Sequence, residues 1–370
     1  MSPAQVVAAV AGLAIVIGTT ASVLRVLVVP RRLRSKLTVT VARVVRRPYR
    51  LVADRADSYR TRDRVLAWVA PTTILAVLVT WLLLYLVGYG LLVYAVSNLT
   101  LSTAIREAGS SLFTLGFAST DRSQLTAVDF AAAITGPVVI GLQIGYLPAL
   151  YAAYNRREAE VTMLESRAGE PNWGPEILAR HSSIATLENL RDLFRGWERW
   201  AADVSESHSN YPVLIYFRSQ EASRSWVVGL LSVMDAAALQ LAVNPGMPQG
   251  EARMAVRMGF SCLRDLARAT NIAFDPDPDP DGPVQLTYED FMRGIARLEL
   301  GGFPMERTPE EAWPHFRGWR VNYESIAYAL AELVDAVPAL WSGPRHGVAA
   351  PVAPKTPVNR LPGGRTGPGT

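Results

Sequence analysis

The sequence predicts an all-α membrane protein, with spanning helices in its N-terminal part and a water-soluble helical domain after them. Three observations carry that expectation. The 370 residues are 49% hydrophobic and 19% charged with a mean hydropathy of +0.14, too apolar for an ordinary soluble protein and too charged for one made only of spans. The charges are segregated, leaving three long charge-free stretches before residue 155. Beyond residue 158, apolar residues recur at helical spacing among charged ones. The one cysteine, Cys262, excludes an internal disulfide and a multi-cysteine zinc site.

Residues 4–24, 65–96 and 130–154 carry no charge, and each reaches the ~20 residues a helix needs to cross hydrocarbon. No positive charge precedes the first stretch and a basic run follows it, which argues for a retained span over a cleaved signal peptide. Between the first two stretches, residues 30–64 hold Arg31, Arg32, Arg34, Lys36, Arg43, Arg46, Arg47, Arg50, Arg55, Arg60, Arg62 and Arg64 against three Asp. Arg156 and Arg157 follow the third stretch, whereas residues 97–129 contain only Arg106 and Arg122. The positive-inside rule then puts the N-terminus outside, the basic loop inside, residues 97–129 outside and the C-terminal part in the cytoplasm of a plasma-membrane protein. Beside two spans, so basic a loop suits anionic lipid heads better than nucleic acid. The expected organisation is an N-terminal span (1–29), a basic cytoplasmic loop (30–64), a two-span region (65–158), a cytoplasmic helical domain (159–342) and a disordered Gly/Pro-rich tail (343–370).

The segment joining the second and third spans is unusual. Residues 104–118 read Ala-Ile-Arg-Glu-Ala-Gly-Ser-Ser-Leu-Phe-Thr-Leu-Gly-Phe-Ala, with Ala104, Ile105, Ala108, Leu112 and Phe113 near helical spacing. Ten helical residues advance only ~15 Å, half a bilayer. Such a segment cannot cross, but it can enter and return where protein surrounds it.

Thr114-Leu115-Gly116-Phe117-Ala118, in that setting, resembles the Thr-Val-Gly-Tyr-Gly filter of the potassium-channel pore superfamily, whose subunits run outer helix, pore helix, filter, inner helix. The resemblance covers residues 70–158 and implies a re-entrant pore helix and selectivity filter between the second and third spans. It also implies a homotetramer whose filter strands ring a potassium or other monovalent cation with backbone carbonyls. Thr114 would add its hydroxyl, and Gly116 would permit the backbone angles that turn carbonyls to one axis. Gly136, Gly141 and Gly145 become candidates for inner-helix hinge or close-packing positions. Two positions depart from the family: Ala118 stands where a second glycine is usual and Ser119 where Asp is usual. The other reading of residues 97–129 is an extracellular loop with a surface helix.

In the C-terminal part, Glu158, Glu160 and Glu165 continue the third helix until Gly169-Glu170-Pro171-Asn172 breaks it. Helical patterns follow over 183–205, 251–270, 287–299 and 321–336, with a turn at 208–212 and a short strand or helix at Val213–Phe217. Residues 226–243 are apolar enough for a fourth span, but Asp235 at their centre favours a buried core helix. Seven of the nine tryptophans fall in this domain, which marks an aromatic core. Tyr216-Phe217-Arg218-Ser219 with Ser225-Trp226, and Trp313-Pro314-His315-Phe316-Arg317-Gly318-Trp319, resemble an uncharacterised cytoplasmic domain of actinobacterial channel-like proteins.

Other chemistry finds little footing. His181, His208, His315 and His346 show no metal-ligand spacing, and no phosphate-binding glycine loop or nucleophile elbow is present, so no enzyme is expected. Asp277, Asp279 and Asp281 with Gly282 resemble the start of a calcium loop. Position 12, however, falls on Tyr288, and Pro278, Pro280 and Pro283 stiffen the run, so an acidic linker ending in a Thr287 helix cap is favoured. The function expected is a tetrameric, potassium-channel-like cation channel with a cytoplasmic regulatory or assembly domain. The alternative is a non-conducting, membrane-anchored sensing or interaction protein with a degenerate pore.

Overall fold

The computed structural model describes residues 2–29, 35–118, 123–345, 351–355, 360–361 and 364–365. It is helical almost throughout; among the described residues the only paired strands are two-residue pieces, Arg360–Leu361 and Gly364–Arg365. Four helices are long and apolar enough to cross a membrane. The chain divides into two compact units, Met1–Leu51 with Trp68–Ala152, and Val52–Ala67 with Ala153–Thr370.

In the first unit, α1 (Pro3–Leu27) opens on Ser2, whose hydroxyl accepts from the Gln5 N–H while Gln5 reaches back to the Ser2 N–H. It packs along α4 (Val69–Val96). The two backbones approach at glycines: a Cβ on Gly12 would lie 2.7 Å from the Gly88 carbonyl. Several polar side chains here are bonded to one another. The Trp81 indole donates to Ser22 Oγ at 3.0 Å, and the Tyr85 and Thr20 hydroxyls lie 2.9 Å apart. Helix α6 (Ser123–Ala168) enters the same core through Leu125, Ala132 and Val139, spaced by sevens. Each of these three helices also keeps an exposed apolar stripe, such as Leu75, Val79 and Leu83 on α4.

Within the expected basic loop over 30–64, the described residues are mostly helical. Residues 36–53 form α2 (Lys36–Ala53) and residues 59–67 form α3 (Tyr59–Ala67). The periodicity is visible once charges are treated as one face of a helix rather than as loop composition. Helix α3 belongs to the second unit and is fastened there by ion pairs and hydrogen bonds. The Arg62 guanidinium donates to both Asp335 carboxylate oxygens, at 2.6 and 3.0 Å, and Tyr59 donates to the Asp335 carbonyl at 2.9 Å. Arg218 bonds the Asp63 carboxylate, the Val334 carbonyl and, at 2.8 Å, the Tyr59 hydroxyl.

The rest of the second unit is α7 (Gly174–Ser183), α8 (Leu190–Asn210), α9 (Trp226–Val243), α10 (Gly250–Thr270), α11 (Tyr288–Leu300), α12 (Pro309–Arg320) and α13 (Glu324–Leu333). Every residue of α9 is buried, with α7, α8, α10, α12 and α13 packed around it. Asp235, midway along α9, takes bonds from the Arg320 guanidinium and, at 2.8 Å, from the Tyr323 hydroxyl. Arg320 also donates to Glu324 at 2.9 Å and to the Trp341 carbonyl at 2.7 Å. An apolar helix with a central Asp is thus accommodated by a cation from α12, as a core helix requires. Residues 212–216 are a 3-10 turn rather than a strand. Part of the expected tail is also corrected: Arg345 is buried and donates to the Ala336 carbonyl at 3.1 Å, and Val352 N–H donates to the Pro338 carbonyl at 2.8 Å. Composition suggested disorder there because these residues are held by backbone bonds, which leave no apolar pattern.

Candidate functional site

The candidate site is built on α5 (Leu101–Leu112), a helix of 12 residues between α4 and α6. Thr100 caps it, its hydroxyl accepting from the Thr103 N–H at 3.3 Å. Ala104, Glu107, Ala108, Ser110 and Leu112 are buried, so the helix turns one face inward and packs on α4. Its C-terminal end meets α6 at Gly136, where a Cβ would fall 1.9 Å from the Leu112 carbonyl oxygen. No side chain fits there, so the glycine sets the depth at which the two helices touch. Behind this contact Tyr89 of α4 bonds the Thr135 hydroxyl at 2.7 Å, and Ser111 donates to Asp129 at 2.7 Å.

Helix α5 ends in a Schellman closure. Thr114 N–H donates to the Ser111 carbonyl at 3.0 Å and Leu115 N–H to the Ser110 carbonyl at 2.8 Å, with Thr114 left-handed at φ 54°. A β-branched residue in that conformation costs about 1–2 kcal/mol relative to glycine. Gly116 is left-handed as well, at φ 69°, where glycine carries no such cost. The Ala118 N–H then donates to Ser110 Oγ at 3.0 Å. Ser110 thereby holds the segment through both its carbonyl and its hydroxyl, a role that the sequence pattern did not single out. Its only signal was a polar side chain on the apolar face of a short helix. Leu115 and Phe117 stand exposed, and the Arg106 guanidinium lies 5.3 Å from the Phe117 ring.

The predicted site residues therefore separate. Thr114, Leu115, Gly116, Phe117 and Ala118 form one short segment at the C-terminal end of α5. The Thr114 hydroxyl donates to its neighbour, the Phe113 carbonyl, at 2.7 Å. Ala118, which stands where the family usually has a second glycine, is not left-handed, so alanine carries no left-handed backbone cost there. Ser119 lies outside the described residues. Of the hinge candidates, Gly136 makes a close contact, whereas a Cβ on Gly141 or Gly145 would meet nothing within 4 Å. Two prolines inside α6, Pro137 and Pro148, are further points where the helix lacks a backbone bond.

Elsewhere the candidates are structural. Asp275 and Asp279 each accept a backbone N–H two residues on, from Asp277 and Asp281, at 2.9 Å. Asp281 also pairs with Arg317 at 3.1 Å. Asp277, Asp279 and Asp281 are not brought together, and no cluster of three or more acidic, His or Cys side chains suited to a metal occurs among the described residues. The aromatic-basic runs line the core: Trp313 lies 5.1 Å from Phe291, and Trp226 is 5.5 Å from His208. His208 is buried, and burial together with Arg157 pushes its pKa well below the usual imidazole value. Arg157 Nη1 donates to His208 Nε2 at 3.0 Å, so the ring proton sits on Nδ1, facing Ser207 Oγ at 3.0 Å. Comparisons of the chain with family models, with curated proteins and with solved structures give no match.

Proposed function

We propose that the protein is a homotetrameric cation channel, potassium-channel-like in plan, in which α4 and α6 are the outer and inner helices of each subunit. In this reading α5 is the re-entrant pore helix and Thr114–Ala118 the filter. The observation that carries it is the short, capped helix α5, half-buried between two membrane-length helices and followed by a turn with two left-handed residues, Thr114 and Gly116. The C-terminal end of a helix carries roughly half a negative charge, which favours a cation beside residues 113–118. A permeant ion shedding its water needs oxygens from several chains, because one chain presents too few. Four copies supply them.

Two further facts support the topology. Residues 52–67 and 153–345 belong to one compact unit, so the chain before α4 and the chain after the membrane part of α6 share a side. That requires an even number of crossings between them, which α4 and α6 provide while α5 enters and returns. The basic residues of 30–64 favour the cytoplasm for that side, with the N-terminus outside. Helix α9 then serves as a core helix of the cytoplasmic domain, wholly covered by its neighbours, and that domain regulates or assembles the channel.

One observation favours the second reading, a membrane-anchored interaction protein with a degenerate pore. The Thr114 hydroxyl is bonded within its own chain, and the Schellman turn folds Leu115 back on Ser110. Native mass of the purified protein, followed by planar-bilayer recording, separates the two. The channel reading expects four chains and a cation current, with Ala118→Gly shifting selectivity toward potassium. A monomer or dimer without current rejects it.

A further inference from the structure

Helix α2 is amphipathic about its whole circumference. At 100° per residue, Lys36, Arg43, Arg46, Arg47 and Arg50 share an arc of roughly 100°, and Leu37, Val41, Val44, Pro48 and Leu51 share the flanking one. The apolar arc is covered on one side only. Leu37 and Val41 pack on the core of the first unit, while Val44 and Leu51 are 59% and 60% exposed.

The position of α2 is fixed at both ends. Ser35, just before it, bonds Ser22 near the end of α1 at 2.7 Å, and Tyr49 near its far end bonds Thr72 in the first turn of α4 at 2.8 Å. Helix α2 therefore lies across the basic ends of two membrane-length helices. Trp68, beside the same end of α4, is 65% exposed, and an exposed tryptophan at a span's end belongs to the membrane–water interface.

We infer that α2 is an interfacial helix that binds an anionic phospholipid leaflet, with Val44 and Leu51 among the upper acyl chains and Lys36, Arg43 and Arg47 on lipid phosphates. A helix with one basic and one apolar arc, held in the plane of the headgroups, satisfies both faces at once. Anionic lipid is the occupant because the charge beside the apolar face is wholly positive and because the span ends hold the helix at lipid depth. The inference rests on α1 and α4 crossing the membrane and is independent of conduction.

The test uses the full-length protein in nanodiscs. Cys262 is wholly buried, so a fluorophore can be placed selectively on Val44→Cys or Val39→Cys. Brominated phosphatidylglycerol should quench the label at 44, and aqueous iodide should quench the label at 39. In detergent, phosphatidylglycerol should raise the melting temperature more than phosphatidylcholine does. Lys36→Gln/Arg43→Gln/Arg47→Gln should weaken the apparent lipid affinity at least about tenfold, given the attraction of each basic residue to an anionic surface. Equal iodide quenching at both labels would show a face open to water or to a soluble partner and would overturn the inference. So would glycerol phosphate reproducing the phosphatidylglycerol shift, since a free phosphate would then suffice.

Discussion

Single residues decide how the helices of this protein touch. Gly136→Ala places a methyl group on the Leu112 carbonyl, so we expect a loss of about 1–3 kcal/mol, as for overpacked cores. Gly141→Ala and Gly145→Ala meet nothing within the chain and should leave it unchanged. Thermal unfolding of the three variants in one detergent checks the contrast, and equal losses would refute it. In the second unit, Arg320→Met strands a buried carboxylate on Asp235, and about 3–5 kcal/mol should be lost in denaturant unfolding. His208 supplies a pH dependence. Its pKa is lowered on folding, so below about pH 6.5 the unfolded state takes up a proton that the folded state refuses. Stability from this group is complete above that pH and falls below it by about 1.4 kcal/mol per pH unit. His208→Gln, which keeps an acceptor for Arg157, should flatten that part of the slope; an unchanged slope would show that His208 is not its source.

Among the elements, α3 is the informative one. A nine-residue helix placed between two membrane-length helices in sequence is held in the C-terminal unit by Arg62, Asp63 and Tyr59. Arg62 and Asp335 are nearly buried, with side chains 11% and 7% exposed. A double-mutant cycle with Arg62→Gln and Asp335→Asn should therefore return a coupling of about 1–3 kcal/mol, whereas a surface pair would give a few tenths. The long apolar helices, the end of α6 at Gly169 and the Thr287 cap were legible in the sequence because each follows from local chemistry: absence of charge, a left-handed glycine, a hydroxyl before a helix. What was not legible depends on partners distant in the chain. The basic run of α2 and α3 read as loop, since its amphipathic order is masked by its charge. Helix α12 was hidden by Pro314, and the clasp of Ser110 on residues 115–118 requires a turn that no motif announces. For Thr114–Ala118 only the order in the chain was visible, not the left-handed closure at Thr114 and Gly116.

At the scale of the whole molecule, the chain divides into two compact units, and the first holds three of the helices that are long and apolar enough to cross a membrane. The exposed stripe of Phe130, Ile134 and Val138 on α6 must meet lipid or another copy of the chain. In the proposed tetramer, part of this apolar surface would face neighbouring subunits. Crosslinking through Ile134→Cys, with Cys262 buried, should then yield species larger than a monomer in proteoliposomes but not in denaturing detergent. The most direct test of conduction is potassium flux from proteoliposomes containing the purified protein, compared with the Gly116→Val variant. Gly116 is left-handed and open to a side chain, so valine should strain the filter segment while leaving the rest of the fold intact. The account predicts saturable potassium release by the wild type and loss of that release in the variant. Equal release by both proteins, or none from a correctly assembled wild-type tetramer under any stimulus applied, would contradict it.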